Sequence, residues 1–136
     1  MSTKTVRFSN PLTLPKPLGY SQIAEVSGGR TVFIAGQVAQ DAGGAIVGKD
    51  DFQAQVAQVF TNLRAAVESV GGVFDDIVKL TCFCCDSVPA SELPALREIR
   101  NRFVNGQTPP TSSFVFVSRL VREEFLIEIE AVAVID

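Results

Sequence analysis

Residues 125–134, Phe-Leu-Ile-Glu-Ile-Glu-Ala-Val-Ala-Val, follow a period of two through their first half. Successive side chains of a strand point to opposite sides, so Ile127, Ile129 and Ala131 share one face and Leu126, Glu128 and Glu130 the other. A helix would scatter both sets around its circumference. This stretch therefore predicts a strand with one apolar face and one face bearing two carboxylates. A second β-rich run, Ser112 to Ser118, precedes it. A carboxylate set among large aliphatics is costly unless it is paired or used, which makes Glu128 the first candidate functional residue.

The remaining elements follow from pattern and punctuation. Residues 1–8 read as a short first strand, and the proline-rich stretch Asn10 to Gly19 as an irregular connector. Tyr20 to Val26 and Thr31 to Gly36 read as strands joined by a hairpin-type turn at Ser27-Gly28-Gly29-Arg30. Gln40 to Asp51 is a loop whose Asp50 or Asp51 can cap the next helix. There Phe52, Val56, Val59, Phe60, Leu63 and Val67 keep helical spacing, with Gln53, Gln55, Gln58, Arg64 and Glu68 on the outer side, until Gly71-Gly72 stops the run. Asp76 to Cys85 is a nearly continuous apolar strand, expected near the middle of a sheet. Ser91 is positioned to cap a second helix over Glu92 to Val104, with Pro94 tolerated in its first turn.

The order β-β-β-α-β-α-β-β predicts an α+β domain spanning residues 1–136, a mixed six-stranded sheet with two helices on one face. Phe33, Phe83, Phe114, Phe116, Ile127 and Ile129 cannot all point at the same two helices. The opposite face is therefore apolar as well, which predicts a homo-oligomer.

Composition narrows the chemistry. A net charge of −3 argues against nucleic-acid binding through a basic surface. No apolar run approaches the roughly 20 residues that cross a bilayer, and residues 1–8 lack the apolar core of a secretory signal, so the expected setting is the cytoplasm with no membrane partner. Histidine is absent, which removes the commonest general base and the commonest zinc ligand. The glycine pairs lack phosphate-loop and dinucleotide patterns, so no cofactor is implied. Cys82, Cys84 and Cys85 read as small residues of a buried strand; a redox switch or a soft-metal site is the alternative, and no metal site is assigned.

Several segments together carry a resemblance. Gly19-Tyr20-Ser21-Gln22, Val32-Phe33-Ile34-Ala35-Gly36-Gln37, the helix from Gln55 to Gly72 with Asn62-Leu63, Asp76-Ile77-Val78-Lys79 and Ile127-Glu128-Ile129-Glu130-Ala131 occur in the order and spacing of the RidA/YjgF family of enamine/imine deaminases. The resemblance implies a chorismate-mutase-like fold, a homotrimer with sheets facing inward, and small-molecule ligands in clefts between subunits. It also exposes a departure. The family motif Pro-Ala-Arg-Ser/Thr, whose arginine holds a substrate carboxylate, reads Pro110-Thr111-Ser112-Ser113 here.

The resemblance assigns Glu128 to a glutamate that positions or activates water; a structural acceptor is the other role open to it. Hydrolysis of an imine or enamine needs a proton delivered to nitrogen or carbon and a water delivered to carbon, and a partly desolvated carboxyl group can relay both. Tyr20 matches a tyrosine reaching the cleft from a neighbouring subunit, with an interface aromatic as the alternative. Gly36 matches a glycine whose backbone approaches the ligand. Ser112, Ser113 and Phe114 line the expected pocket. A hydroxyl cannot reproduce an arginine's bidentate clamp, a loss of roughly 2–5 kcal/mol for a buried charge pair, so a less anionic, larger or aromatic ligand is expected. Arg97, where the family commonly has asparagine, and Arg100 lie one turn apart, and one of them can supply positive charge from a new direction; a solvated helix face is the plainer reading. Glu130 is expected to pair with a basic group such as Arg119. The functional expectation is an imine or enamine deaminase with altered substrate preference. A non-catalytic metabolite-binding relative and a pathway-specific deaminase of aromatic degradation are the alternatives.

Overall fold

A computed structural model describes residues 3–136. Met1 and Ser2, the start of the expected first strand over residues 1–8, lie outside the described residues. Four strands form the main sheet: β3 (Arg30–Gln37), β4 (Ile77–Cys85), β5 (Thr111–Val117) and β6 (Ile127–Ile135), in the order β3-β6-β4-β5. β6 runs antiparallel to β3 and β4, and β5 runs parallel to β4, so the sheet is mixed. The apolar β4 and the alternating β6 occupy its centre, where a strand is covered on both flanks.

Helix α1 (Phe52–Ser69) begins at Asp51, whose side chain accepts from the Ala54 amide at 3.1 Å. It ends where the Gly72 amide turns back to the Val67 carbonyl at 3.0 Å. Its apolar stripe buries Val56, Val59, Phe60, Leu63 and Val67 against Ile127, Ile129, Ala131 and Ala133, the apolar face read from the β6 alternation. Each large side chain so buried contributes about 1.5–3 kcal/mol.

Three expectations need correction. Gln55 is not on the outer side of α1 but fully buried: its amide donates to the Gly48 and Glu124 carbonyls at 3.1 and 2.8 Å and accepts from the Leu126 amide at 2.8 Å. Those loop groups have no strand partners, and the glutamine satisfies them. Helix α2 is shorter than expected, Leu93–Arg100, and Ser91 lies in a 3-10 turn before it rather than at its cap.

The third correction concerns the sheet. All six strands form, but as four plus two: β1 (Thr5–Ser9) pairs with β2 (Ile23–Ser27) in a separate ribbon, and β2 does not pair with β3. The ribbon is held at both ends. Lys4 is tied to Asp76, to the Val134 carbonyl at 2.8 Å and, through its amide, to Asp136 at 2.8 Å. At the far end Ser21 is latched to the start of β5: its amide donates to the Pro110 carbonyl at 3.1 Å and its hydroxyl to the Pro109 carbonyl at 2.5 Å. These anchors lie at the same end of the sheet, one by the central strands β4 and β6 and one at the β5 edge, so the ribbon crosses the strand ends instead of extending the sheet. Gly28 and Gly29, at φ 68° and 74°, make the corner that this path requires.

The face away from the helices carries Phe33, Thr81, Phe83, Glu128, Glu130 and Val132, with Phe33 80% exposed. Phe114 and Phe116 fall on the helix side by register but sit at the β5 edge, meeting edge to face at 5.2 Å and partly exposed.

Candidate functional site

Between α2 and the β5 edge lies a cavity of about 370 Å3. Its floor is the helix side of the sheet, Leu80, Cys82 and Ile129, and β5 contributes Ser112 and Phe114. Tyr20 closes one side, carried there by the Ser21 latch. Arg97 and Arg100, in the last turn of α2, supply the only charged side chains of the lining among the described residues. Gly19 lies directly on the Arg100 guanidinium; a Cβ there would clash with Nη2 and come within 3.3 Å of Cζ. The Arg100 Nε is buried and finds no acceptor among the described residues. Burial lowers the Arg100 pKa, the Arg97 charge adds to the effect, and Cys82 opposes it.

Glu128 is on the other side of the sheet. Its neighbour Ile129 lines the cavity floor, and strand alternation sends Glu128 to the opposite face, across from Phe83. Beside it β3 is interrupted by a bulge: Ile34 pairs with Ala131 but Gln37 with Ile129, so Ala35 and Gly36 together span Glu130. The bulge brings the Gly36 backbone against the Glu128 side chain. A Cβ at Gly36 would clash with the carboxylate and stand 2.8 Å from Cδ and 2.9 Å from Cγ. The close neighbour of Gly36 in this chain is thus the acid itself. The expected site is therefore divided by the sheet: Tyr20, Ser112, Phe114, Arg97 and Arg100 gather at the cavity, while Glu128 and Gly36 meet on the far face.

The family model described as endoribonuclease L-PSP matches residues 14–135. The chain belongs to the RidA/YjgF family. It is 34% identical over 120 residues to a RutC family protein of Pyrococcus abyssi, covering 88% of this chain and 89% of that protein. It is 33% identical to a Dermatophagoides farinae protein named 2-iminobutanoate/2-iminopropanoate deaminase, over the full length of both. The solved structure of the Rid-family protein YyfB from Yersinia pestis superposes with a TM-score of 0.87 at 36% identity, covering 96% of this chain and 98% of that one.

Within this RidA-family frame, other expected residues fall elsewhere. Ser113 points away from the cavity, because Ser112 and Phe114 share the register of Leu80 and Cys82 while Ser113 pairs with Thr81. Glu130 does not meet Arg119, which pairs with Glu123 at 3.7 Å. Glu130 aligns through Thr81 with Ser113, and Arg119 lies six residues further along the chain, beyond the end of β5, with Val117 at that end already about 13 Å from Ser113 at 3.3 Å per residue. Tyr20, which the resemblance brings from a neighbour, shares a cavity with Ser112 of its own chain. Cys82, Cys84 and Cys85 are buried free thiols, and burial first, then neighbouring thiols, push Cys82 and Cys84 up, Cys84 to about 11. Among the described residues no cluster of histidine, cysteine or acid suits a metal ion, and no helix is long and apolar enough to cross a membrane. The weight of Gly19 and Ser21 was missed in sequence. Their signal was membership of the Gly19-Tyr20-Ser21-Gln22 segment, which gave neither of them a role of its own.

Proposed function

We propose that this RidA-family chain hydrolyses a reactive imine or enamine to a carbonyl compound and ammonia, in a homotrimer whose sites lie at the seams between subunits. The observation that carries the reading is the division of the site. Glu128, seated against a bulge glycine, lies on the face away from the donor-rich cavity, and among the described residues no acid lines that cavity. Packing the open sheet face of one subunit near the β5 edge of the next would cover Phe33 and Phe83 and bring Glu128 to a neighbour's cavity.

In this reading Glu128 accepts a proton as water adds to the imine carbon, and the nitrogen gains a proton. The carbinolamine then collapses: the C–N bond breaks, ammonia leaves, and the hydroxyl loses its proton to give the carbonyl. An enamine is first protonated at carbon. Glu128 serves as the relay in both directions, a role worth about 10²–10⁴-fold in rate. The name of the Dermatophagoides farinae relative supports the reaction class. A cytoplasmic setting, where thiols stay reduced, suits the buried free cysteines.

The test is ammonia release from enzymatically generated imines, with Glu128→Gln as the comparison. Release that falls by two or more orders of magnitude in the variant supports the proposal. No release from neutral and carboxylated imines alike ends it, and leaves ligand binding without turnover as the activity to examine.

A further inference from the structure

We infer that Arg100, assisted by Arg97, forms an anion clamp that takes the carboxylate of the ligand from the α2 side, replacing the arginine absent at position 112. The inference rests on the proposed imine chemistry for its biological context, but its geometry is independent of Glu128.

Arg102, Arg119 and Arg122 each meet a glutamate, at 2.7, 3.7 and 3.5 Å. Arg97 and Arg100 meet no carboxylate within 4.0 Å among the described residues, and none lines their cavity. Glu98, the acid between them in sequence, is engaged with Arg102 on the outer face of α2. Arg100 has one long contact, Nη2 to Asn101 Oδ1 at 3.4 Å, and its buried Nε has no partner. The half-buried Arg100 guanidinium, over a floor of leucine, cysteine and isoleucine and beside the like charge of Arg97, is costly to leave without a counterion. The backbone of Gly19 is pressed onto the guanidinium, which fixes the direction in which its donors point.

The surroundings define the ligand class. A guanidinium matches a planar carboxylate with two parallel hydrogen bonds. The Ser112 hydroxyl and the Tyr20 phenol add neutral donors at the same cavity, and Leu18, Leu80 and Phe114 make the rest of the wall apolar. The cavity therefore suits a monocarboxylate with an apolar substituent, of a size that about 370 Å3 can admit. This revises the less anionic ligand expected from Ser112 alone.

Benzoate and its neutral analogue benzamide are the probes, titrated calorimetrically into the full chain near neutral pH, with inorganic phosphate as a competitor. Benzoate is expected to bind at least about ten-fold more tightly than benzamide, as a charge-assisted contact requires. Arg100→Gln is expected to abolish that preference, Arg100→Lys to keep part of it, and Arg97→Gln to reduce it. Ammonia release by Glu128→Gln reads the hydrolytic step, and benzoate binding by Arg100→Gln reads the clamp, so the two fail separately. Equal affinity for the two probes, including no binding of either, overturns the clamp. So does benzoate affinity unchanged in Arg100→Gln, or complete displacement of benzoate by equimolar phosphate. Thermal unfolding of each variant without ligand confirms that it is folded; the exposed Arg97→Gln carries the test if Arg100→Gln does not fold.

Discussion

Replacing Gly36 with alanine separates the placement of Glu128 from the stability of the fold. The new Cβ would stand 2.8 Å from Cδ and 2.9 Å from Cγ of Glu128, besides its clash with the carboxylate. Carbon contacts settle near 3.5–4.0 Å, so the whole carboxyl end must move by about 1 Å or more. The acid is a flexible side chain on a half-open face and can give way. A strained rotamer costs about 0.5–1.5 kcal/mol, and the stiffer alanine offsets about 0.5–1 kcal/mol of that in a strand. Net stability should change by less than about 1 kcal/mol. Catalysis is far less forgiving: a misplacement of about 1 Å costs on the order of 10²-fold. Gly36→Ala should therefore lose about 100-fold in ammonia release with its urea midpoint nearly unmoved. In a Glu128→Gln background it should lose nothing further, since the group it displaces is already disabled. Wild-type turnover in Gly36→Ala, or an equal loss in both backgrounds, would refute the claim that Glu128 works from this seat.

Other outcomes follow from the same geometry. Equimolar Glu128→Gln and cavity-filling Ser112→Phe chains, inactive alone, should regain activity at about one seam in four after co-refolding, because each seam draws its halves independently; no recovery would place the whole site within one chain. Ser21→Ala removes a buried hydroxyl bond to the Pro109 carbonyl and should cost about 1–3 kcal/mol in urea unfolding while speeding amide exchange at Tyr20; unchanged exchange would mean that the latch does not hold the arm. Burial, then Cys85, raise the Cys84 thiol from the ordinary 9.0 to about 11. The stability tied to its protonated form is complete below pH 9.0 and is lost as pH rises toward about 11, because the unfolded thiol ionises first. Urea midpoints should fall across that interval, and a flat profile would contradict the assignment.

What the sequence revealed depends on the range over which each feature is determined. The α1 stripe and the β6 alternation are set within a few residues, and both were legible as periods of 3.6 and two. The path of the β1–β2 ribbon was not, because its anchors lie far along the chain: Lys4 to Val134 spans 130 residues and Ser21 to Pro109 spans 88. A glycine pair between two strands looks like a hairpin turn whether or not the strands go on to pair. Gln55 misled for a related reason: an amide among glutamines looks solvated until the carbonyl of Glu124, 69 residues away, arrives beside it. Arg97 and Arg100 were legible only as a pair one turn apart, with a solvated helix face the plainer reading, since a basic residue in the last turn of a helix is what the helix dipole alone would favour.

Moving a cation from β5 to α2 changes more than the identity of one residue. An arginine at position 112 would stand on an edge strand and fill part of the cavity with its own methylene chain. Serine leaves that volume free, and the charge now enters from the opposite wall, with Gly19 pressed against it. A carboxylate held from α2 would put its substituent toward β5, where Phe114 offers an aromatic surface. The relocation therefore couples two properties that sequence alone set in opposition: retention of an anionic ligand and room for a larger apolar one. It predicts that lengthening the apolar substituent of a carboxylated imine from methyl to phenyl raises kcat/KM in this chain and that Ser112→Arg reverses the order. The same order of substrates in both proteins would show that the vacated space at position 112 takes no part in selection.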